Sequence, residues 1–191
     1  MTLKNPLPGS IRKLLSREQP LYRAHLLRLD TDARHRRFAH AVSDDFIVRY
    51  AQRAAEPGSI IFGYFTDGQL RAVAELKITP SRSSQAAEAA FSVERDYVSQ
   101  GIATELMTWV IRSARNRGVR HLILSFLPEN TKMQAIARKY GADLQFQDDS
   151  IVADIMPARP NFYSLANEAF DDRVGLLLAG LDYQDRHKNA A

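Results

Sequence analysis

The stretch "SVERDYVSQGIATELMTWVI", Ser92–Ile111, begins with the alternation of a strand, breaks over Ser99-Gln100-Gly101 and resumes as an amphipathic helix. A change of period at a glycine places the first amides of a helix just beyond it. Those amides have no acceptors inside the helix and sit at the positive end of its dipole, so the turn suits a phosphate. Gly101 lacks a Cβ and allows close approach of the backbone, and Ala103 is nearly as small. Two familiar phosphate loops do not fit. A G-x-x-x-x-G-K-[ST] loop is absent, and a G-x-G-x-x-G fingerprint fails because Ala103 and Leu106 stand where glycines are needed.

The elements around this turn follow from period and punctuation. Ala103, Leu106, Met107, Val110, Ile111 and Ala114 form one stripe at offsets of three and four, which predicts a helix ended by Gly118. "VRHLILSFL", Val119–Leu127, is a short apolar run that predicts a central strand buried on both faces. Asn130 can cap a second helix with Met133, Ile136, Ala137 and Tyr140 inward and Gly141 at its end. Upstream, Ala86–Tyr97 reads as a strand with Ala89, Phe91 and Val93 on one face and Glu88, Ala90 and Ser92 on the other. Ser59–Thr79 reads as a hairpin turning at Asp67-Gly68.

Nearer the N-terminus, Leu21–Leu29 is apolar enough to predict a first strand. Asp30 and Ser43 then offer caps for two helices, the second ended by Pro57-Gly58. Residues 1–20, with three prolines, read as a loosely packed lead-in. Pro80–Gln85 reads as a loop, Asp143–Ile155 as two strands around Asp148-Asp149-Ser150, and the segment after Pro160 as helical. The order is strand, two helices, three strands, helix, strand, helix and a strand pair: a mixed sheet with helices packed on it.

Val98-Ser99-Gln100-Gly101-Ile102-Ala103 resembles the coenzyme A loop of the GNAT N-acetyltransferase superfamily, [QR]-x-x-G-x-[GA]. Gly101 and Ala103 match, and Val98 replaces the usual Gln or Arg. "LPENTKMQAIARKYGADL" resembles the family's asparagine-capped helix, with Asn130 and Gly141 matching. The likeness runs from about Ile60 to Ile155. It implies an α/β (α+β) GNAT fold, a mostly antiparallel sheet splayed between strands 4 and 5 with helices on both faces. It implies acetyl-coenzyme A as cosubstrate, with its diphosphate on the amides of Ser99, Gln100, Gly101, Ile102, Ala103 and Thr104. Its pantetheine would run along Phe91 and Val93, with Asn130 close by and the Val93 N–H polarising the thioester carbonyl. The domain would span 21–157, followed by a helical extension over 158–191.

The implied reaction is acetyl transfer to a primary amine, of a small molecule or a protein lysine, by direct attack in a ternary complex. A lysine-like ammonium with a pKa of about 10.4 is neutral in only on the order of one molecule in a thousand, so a base must take its proton. Glu88 is the first candidate, in an "AE-x-A" strand context that resembles bacterial protein lysine acetyltransferases; Glu94 and Glu75 are alternatives. The tyrosine that many relatives carry seven residues after the asparagine is Ala137 here. Tyr140, three residues on and about 300° around the helix, is the candidate acid for the leaving thiolate, or else a core tyrosine. The rival reading is a GNAT-fold module that binds acyl-coenzyme A without turnover.

Bulk properties set the frame. The 191 residues contain no cysteine, which removes disulfides, thiolate metal sites and a thiol acyl-enzyme. His35, His40 and His121 lack ligand spacing, so no metal is expected. A net charge of +4 without a basic-aromatic stripe gives no support for nucleic acid. The start has no apolar signal region and no apolar run reaches the roughly 18 residues of a membrane span, so a cytoplasmic protein is expected; a homodimer is an open alternative to a monomer.

Overall fold

Asp67 and Gly68 both adopt positive φ, 51° and 68°, as a two-residue primed turn requires. They join β2 (Ser59–Thr66) to β3 (Gln69–Ile78), and β4 (Ala86–Val93) pairs antiparallel with β3. The computed structural model describes residues 7–53, 58–78 and 85–188. Pro57 and all of the predicted Pro80–Gln85 loop except Gln85 lie outside the described residues.

Among the described residues, seven strands form one sheet in the order β1-β2-β3-β4-β5-β7-β6. After β4, α4 (Ile102–Asn116) crosses over to β5 (His121–Phe126), which runs parallel to β4. α5 (Thr131–Lys139) leads to β6 (Asp143–Gln147) and β7 (Ser150–Ile155), antiparallel to each other, with β7 antiparallel to β5. The expected stripe of α4 is buried through Leu106, Met107, Val110 and Ala114, joined by Ile102. It packs with Met133 and Ala137 of α5 onto one face of the sheet, against Phe62, Leu76, Ala87, Leu122 and Ala153. Each fully buried large aliphatic side chain here contributes roughly 1.5–3 kcal/mol.

Four expectations are corrected. Leu21–Leu29 is not a strand: Gln19–Arg28 forms helix α1, with Tyr22, His25, Leu26 and Leu29 buried. Their spacing of three and four is helical, and Pro20 sits in the first turn, where its missing N–H costs nothing. The first strand lies instead inside the segment read as a lead-in, where β1 (Ser10–Lys13) pairs with β2 at the sheet edge. β5 is buried on one face only, through Leu122, Leu124 and Phe126. The helices opposite, α1, α2 (Thr31–Phe38) and α3 (Asp44–Arg53), pack around β3 and β4 over Phe65, Leu70 and Val73, and do not extend across β5. The strand read as Ala86–Tyr97 ends at Val93, and Arg95–Tyr97 forms a short 3-10 turn.

The C-terminal helix α6 (Phe162–Lys188) packs against β1 and α4. Its domain-facing side is polar. Glu168 meets Lys13, Asn116 and Arg117, Asp171 meets Arg112, and Asp182 meets Arg12, a fully buried arginine that Glu18 also pairs. Burial opposes charge on Glu168, but bonds from Asn116, Arg117 and Lys13 prevail and hold its carboxyl at about 2. No helix among the described residues is long and apolar enough to cross a membrane.

Candidate functional site

β4 and β5 pair only at Ala86–His121, Ala87–Leu122 and Glu88–Ile123, and then part. Beyond Glu88, the edge of β4 that faces β5 has no ladder. The Glu94 N–H donates to the Arg71 carbonyl on the β3 side at 3.0 Å. Antiparallel ladders alternate, so the Ser92 amide also faces β3, while the Phe91 and Val93 amides face the gap. The gap is a cleft of about 540 Å³, a size suited to a small ligand. Phe91, Ser92 and Val93 form one wall, Asn130, Lys132 and Met133 another, and Ala33 and Arg36 of α2 reach over it. A hollow of about 320 Å³ beside β1 lies elsewhere, and its cations Lys13 and Arg117 are already paired with Glu168.

The floor of the cleft is the loop singled out above. Ser99 and Gly101 take φ of 67° and 86°, and the Gln100 side chain donates from Nε2 to the Asp96 carbonyl at 2.8 Å, which clips the turn. A non-glycine residue at positive φ costs of order 1–3 kcal/mol and concentrates at functional loops. Gly101 is the N-cap residue of α4 and supplies no side-chain acceptor. Among the described residues, no amide from Ser99 to Thr104 donates to a protein acceptor. Lys132 Nζ donates to Ser99 Oγ at 2.9 Å and so places an ammonium beside those amides. An anion there would meet backbone donors, the dipole of a fifteen-residue helix and a lysine together.

Of the predicted site residues, Phe91, Val93, Ser99, Gly101, Ile102, Ala103, Thr104 and Asn130 all line this cleft. Gln100 stiffens the loop from its exposed side. Asn130 also caps α5, accepting from the Met133 amide at 3.3 Å. The two candidate proton-transfer residues are not brought in. Glu88 is exposed beside Lys77 of β3 and is absent from the cleft lining. The Tyr140 hydroxyl lies against α4, 2.9 Å from the Thr104 carbonyl and 2.7 Å from Thr108 Oγ1. Glu75 is buried under the helices, where Tyr22, Tyr50 and Arg37 all donate to its Oε2, at 3.0, 2.6 and 2.9 Å. Burial, opposed by Arg37, pushes both phenols above their ordinary value.

Glu94 holds a second buried cluster. His25 Nδ1 lies 3.1 Å from Glu94 Oε1, and His25 Nε2 lies 2.9 Å from Ser92 Oγ. Arg28 and Arg71 also donate to the Glu94 carboxylate. Burial works against that charge, but hydrogen bonds from His25, Arg71 and Arg28 outweigh it and hold the carboxyl at about 2. Burial likewise pushes the His25 imidazole below its ordinary value, against the pull of Glu94. His25 was missed in the sequence because Leu21–Leu29 was read as a strand. The helical spacing of Tyr22, His25, Leu26 and Leu29 was the signal available. Lys132, on the first turn after Asn130, was missed as well.

The acetyltransferase (GNAT) family model matches residues 18–142. Among solved structures, the GNAT domain of Streptomyces lividans PAT is similar at 19% identity and a TM-score of 0.66, over 78% of this chain and 90% of that one. The ribosomal-protein-S18-alanine N-acetyltransferase of Escherichia coli is similar at 17% identity and a TM-score of 0.61, over 81% and 97%. YncA of Salmonella typhimurium, solved with its cofactor acetyl-CoA, is similar at 12% identity and a TM-score of 0.60, over 81% and 96%. At these identities the structures share the fold, and the family match covers well over half of the chain. The strand that parts from its neighbour, the uncapped helix start beside it and the family match lead to one conclusion: the chain belongs to the acetyltransferase (GNAT) family.

Proposed function

We propose that the chain moves an acetyl group from acetyl-coenzyme A to a primary amine by direct attack in a ternary complex. The observation that carries this reading is the run of unclaimed amides from Ser99 to Thr104 at the foot of an open strand edge. The diphosphate would satisfy those amides, supported by Lys132. The pantetheine would add to β4 like a strand, using the inward-facing groups of Phe91 and Val93. The Val93 N–H would then meet the developing oxyanion, a role that typically supplies several kcal/mol. The amine would enter from the side of α2, where Ala33 and Arg36 edge the cleft.

The test is calorimetry and thermal denaturation with acetyl-coenzyme A, followed by thiol release over amines and lysine peptides. Saturable binding and amine-dependent thiol release are expected; no binding would contradict the reading. One observation favours the rival, a binding module without turnover. Position 137 is a buried alanine, and the Tyr140 hydroxyl is held on α4 rather than in the cleft. That rival predicts binding with no thiol release across the whole panel.

A further inference from the structure

We propose that Ser92, His25 and Glu94 form the proton route of this transfer, an inference that rests on the acetyltransfer reading above. Ser92 is the polar residue that β4 contributes to the cleft lining, between the two residues whose amides face the gap. Its hydroxyl is 2.9 Å from His25 Nε2. A carboxylate only accepts, so His25 Nδ1–H donates to Glu94 and Nε2 is left to accept from the serine. The charged groups facing the imidazole are Glu94 and Arg28, with Arg71 behind the carboxylate; burial opposes a charge on the ring, against the pull of Glu94.

In the step, an ammonium proton passes to Ser92 Oγ while the serine proton passes to His25 Nε2. The freed nitrogen lone pair forms the C–N bond, and the C–S bond breaks with its pair going to sulfur. The second ammonium proton neutralises the thiolate, and the proton held on His25 returns through Ser92 to the open cleft and solvent once the amide leaves. Ser92 touches the amine; His25 and Glu94 act through it.

The test is Ser92→Ala with two amines, an alkylamine charged at pH 7 and trifluoroethylamine, which is neutral there. The Kd for acetyl-coenzyme A should hold. kcat/KM should fall about a hundredfold for the alkylamine, less than tenfold for the neutral amine, and the deficit should shrink as pH approaches the alkylamine pKa. Ser92→Thr should retain most activity, and His25→Asn should repeat the pattern of Ser92→Ala. An equal loss for both amines, no loss, or the amine-dependent pattern in Glu88→Gln instead would overturn the route alone. A wild type without thiol release from any amine would overturn the acetyltransfer reading and the route with it.

A separate observation concerns α6. Its inward side carries the polar residues, and Phe162, Tyr163, Leu165, Phe170, Leu176, Leu177 and Leu181 point outward, half to four-fifths exposed. A helix on a soluble domain ordinarily has the opposite arrangement. Tyr163, Ala166, Phe170, Val174, Leu177 and Leu181 recur at three and four, the stripe that lets one helix pack along another. The exposed apolar area is on the order of 700 Å² per copy, close to the roughly 800 Å² per partner of a stable interface. We infer that the α6 face docks a second copy of this chain, because one such stripe on a helix complements itself across a two-fold axis.

Sedimentation of the full chain at micromolar concentration should give a dimer, and Phe170→Glu with Leu177→Glu a monomer of unchanged circular dichroism. A monomeric wild type, a dimeric variant, or flotation of the wild type with phosphatidylcholine–phosphatidylglycerol vesicles would overturn it.

Discussion

α4 and α5 start within reach of each other and are finished differently. α5 is closed by its own chain, since Asn130 accepts from the Met133 amide. α2 is closed in the same way, with Asp30 accepting from the Ala33 amide at 2.8 Å. α4 begins at a left-handed glycine with no side-chain cap, and its leading amides have no described protein acceptor. A helix start left unsatisfied beside a cleft forgoes about 1 kcal/mol of capping energy. The sensible reason for leaving it open is that something outside the chain supplies the acceptor.

The largest expected effect comes from making α4 resemble α2. Gly101→Asp sets a carboxylate where the diphosphate would sit and forces a side chain into the φ of 86°. Titration calorimetry should show the Kd for acetyl-coenzyme A raised about a hundredfold or more, roughly 3 kcal/mol. Next in size is a contact that the protein closes with its own charges. Glu168 has a folded pKa near 2, below its ordinary 4.5. Its contribution is therefore fully present above pH 4.5 and is lost as pH falls through 2. Glu168→Gln should cost on the order of 2–3 kcal/mol at pH 7 and flatten the fall of Tm between pH 4.5 and 2. Removing the α5 cap with Asn130→Ala should cost about 1 kcal/mol in urea unfolding, with less than a tenfold change in the Kd for acetyl-coenzyme A. The smallest effect is Lys132→Met, which should weaken acetyl-coenzyme A a few-fold and reduce the salt dependence of its Kd.

The parts of the fold that were legible in the sequence are those with local causes. Asp67-Gly68 demands a primed turn wherever it lies, and the stripe from Leu106 to Ala114 has one helical reading. Gly101 and Asn130 mark helix starts through their own conformations and side chains. The misreadings arose where the deciding contacts are remote. In Leu21–Leu29 the apolar Leu21 and Leu27 blur the helical spacing of Tyr22, His25, Leu26 and Leu29, and the helical state is settled by packing under β3. β5 is apolar along its length, yet only one of its faces is covered, because the opposite helices end over β4. Glu88 is exposed outside the cleft lining, whereas His25 and Ser92, 67 residues apart in sequence, come together beside it. No spacing rule joins residues 25 and 92; only the fold does.

The central claim is that the amides from Ser99 to Thr104 receive a diphosphate. Backbone amide NMR during titration with coenzyme A and, separately, with pantetheine tests it most directly. Large shifts at residues 99–104 with coenzyme A, absent with pantetheine, are predicted. Saturable binding that leaves those six amides unmoved would contradict it.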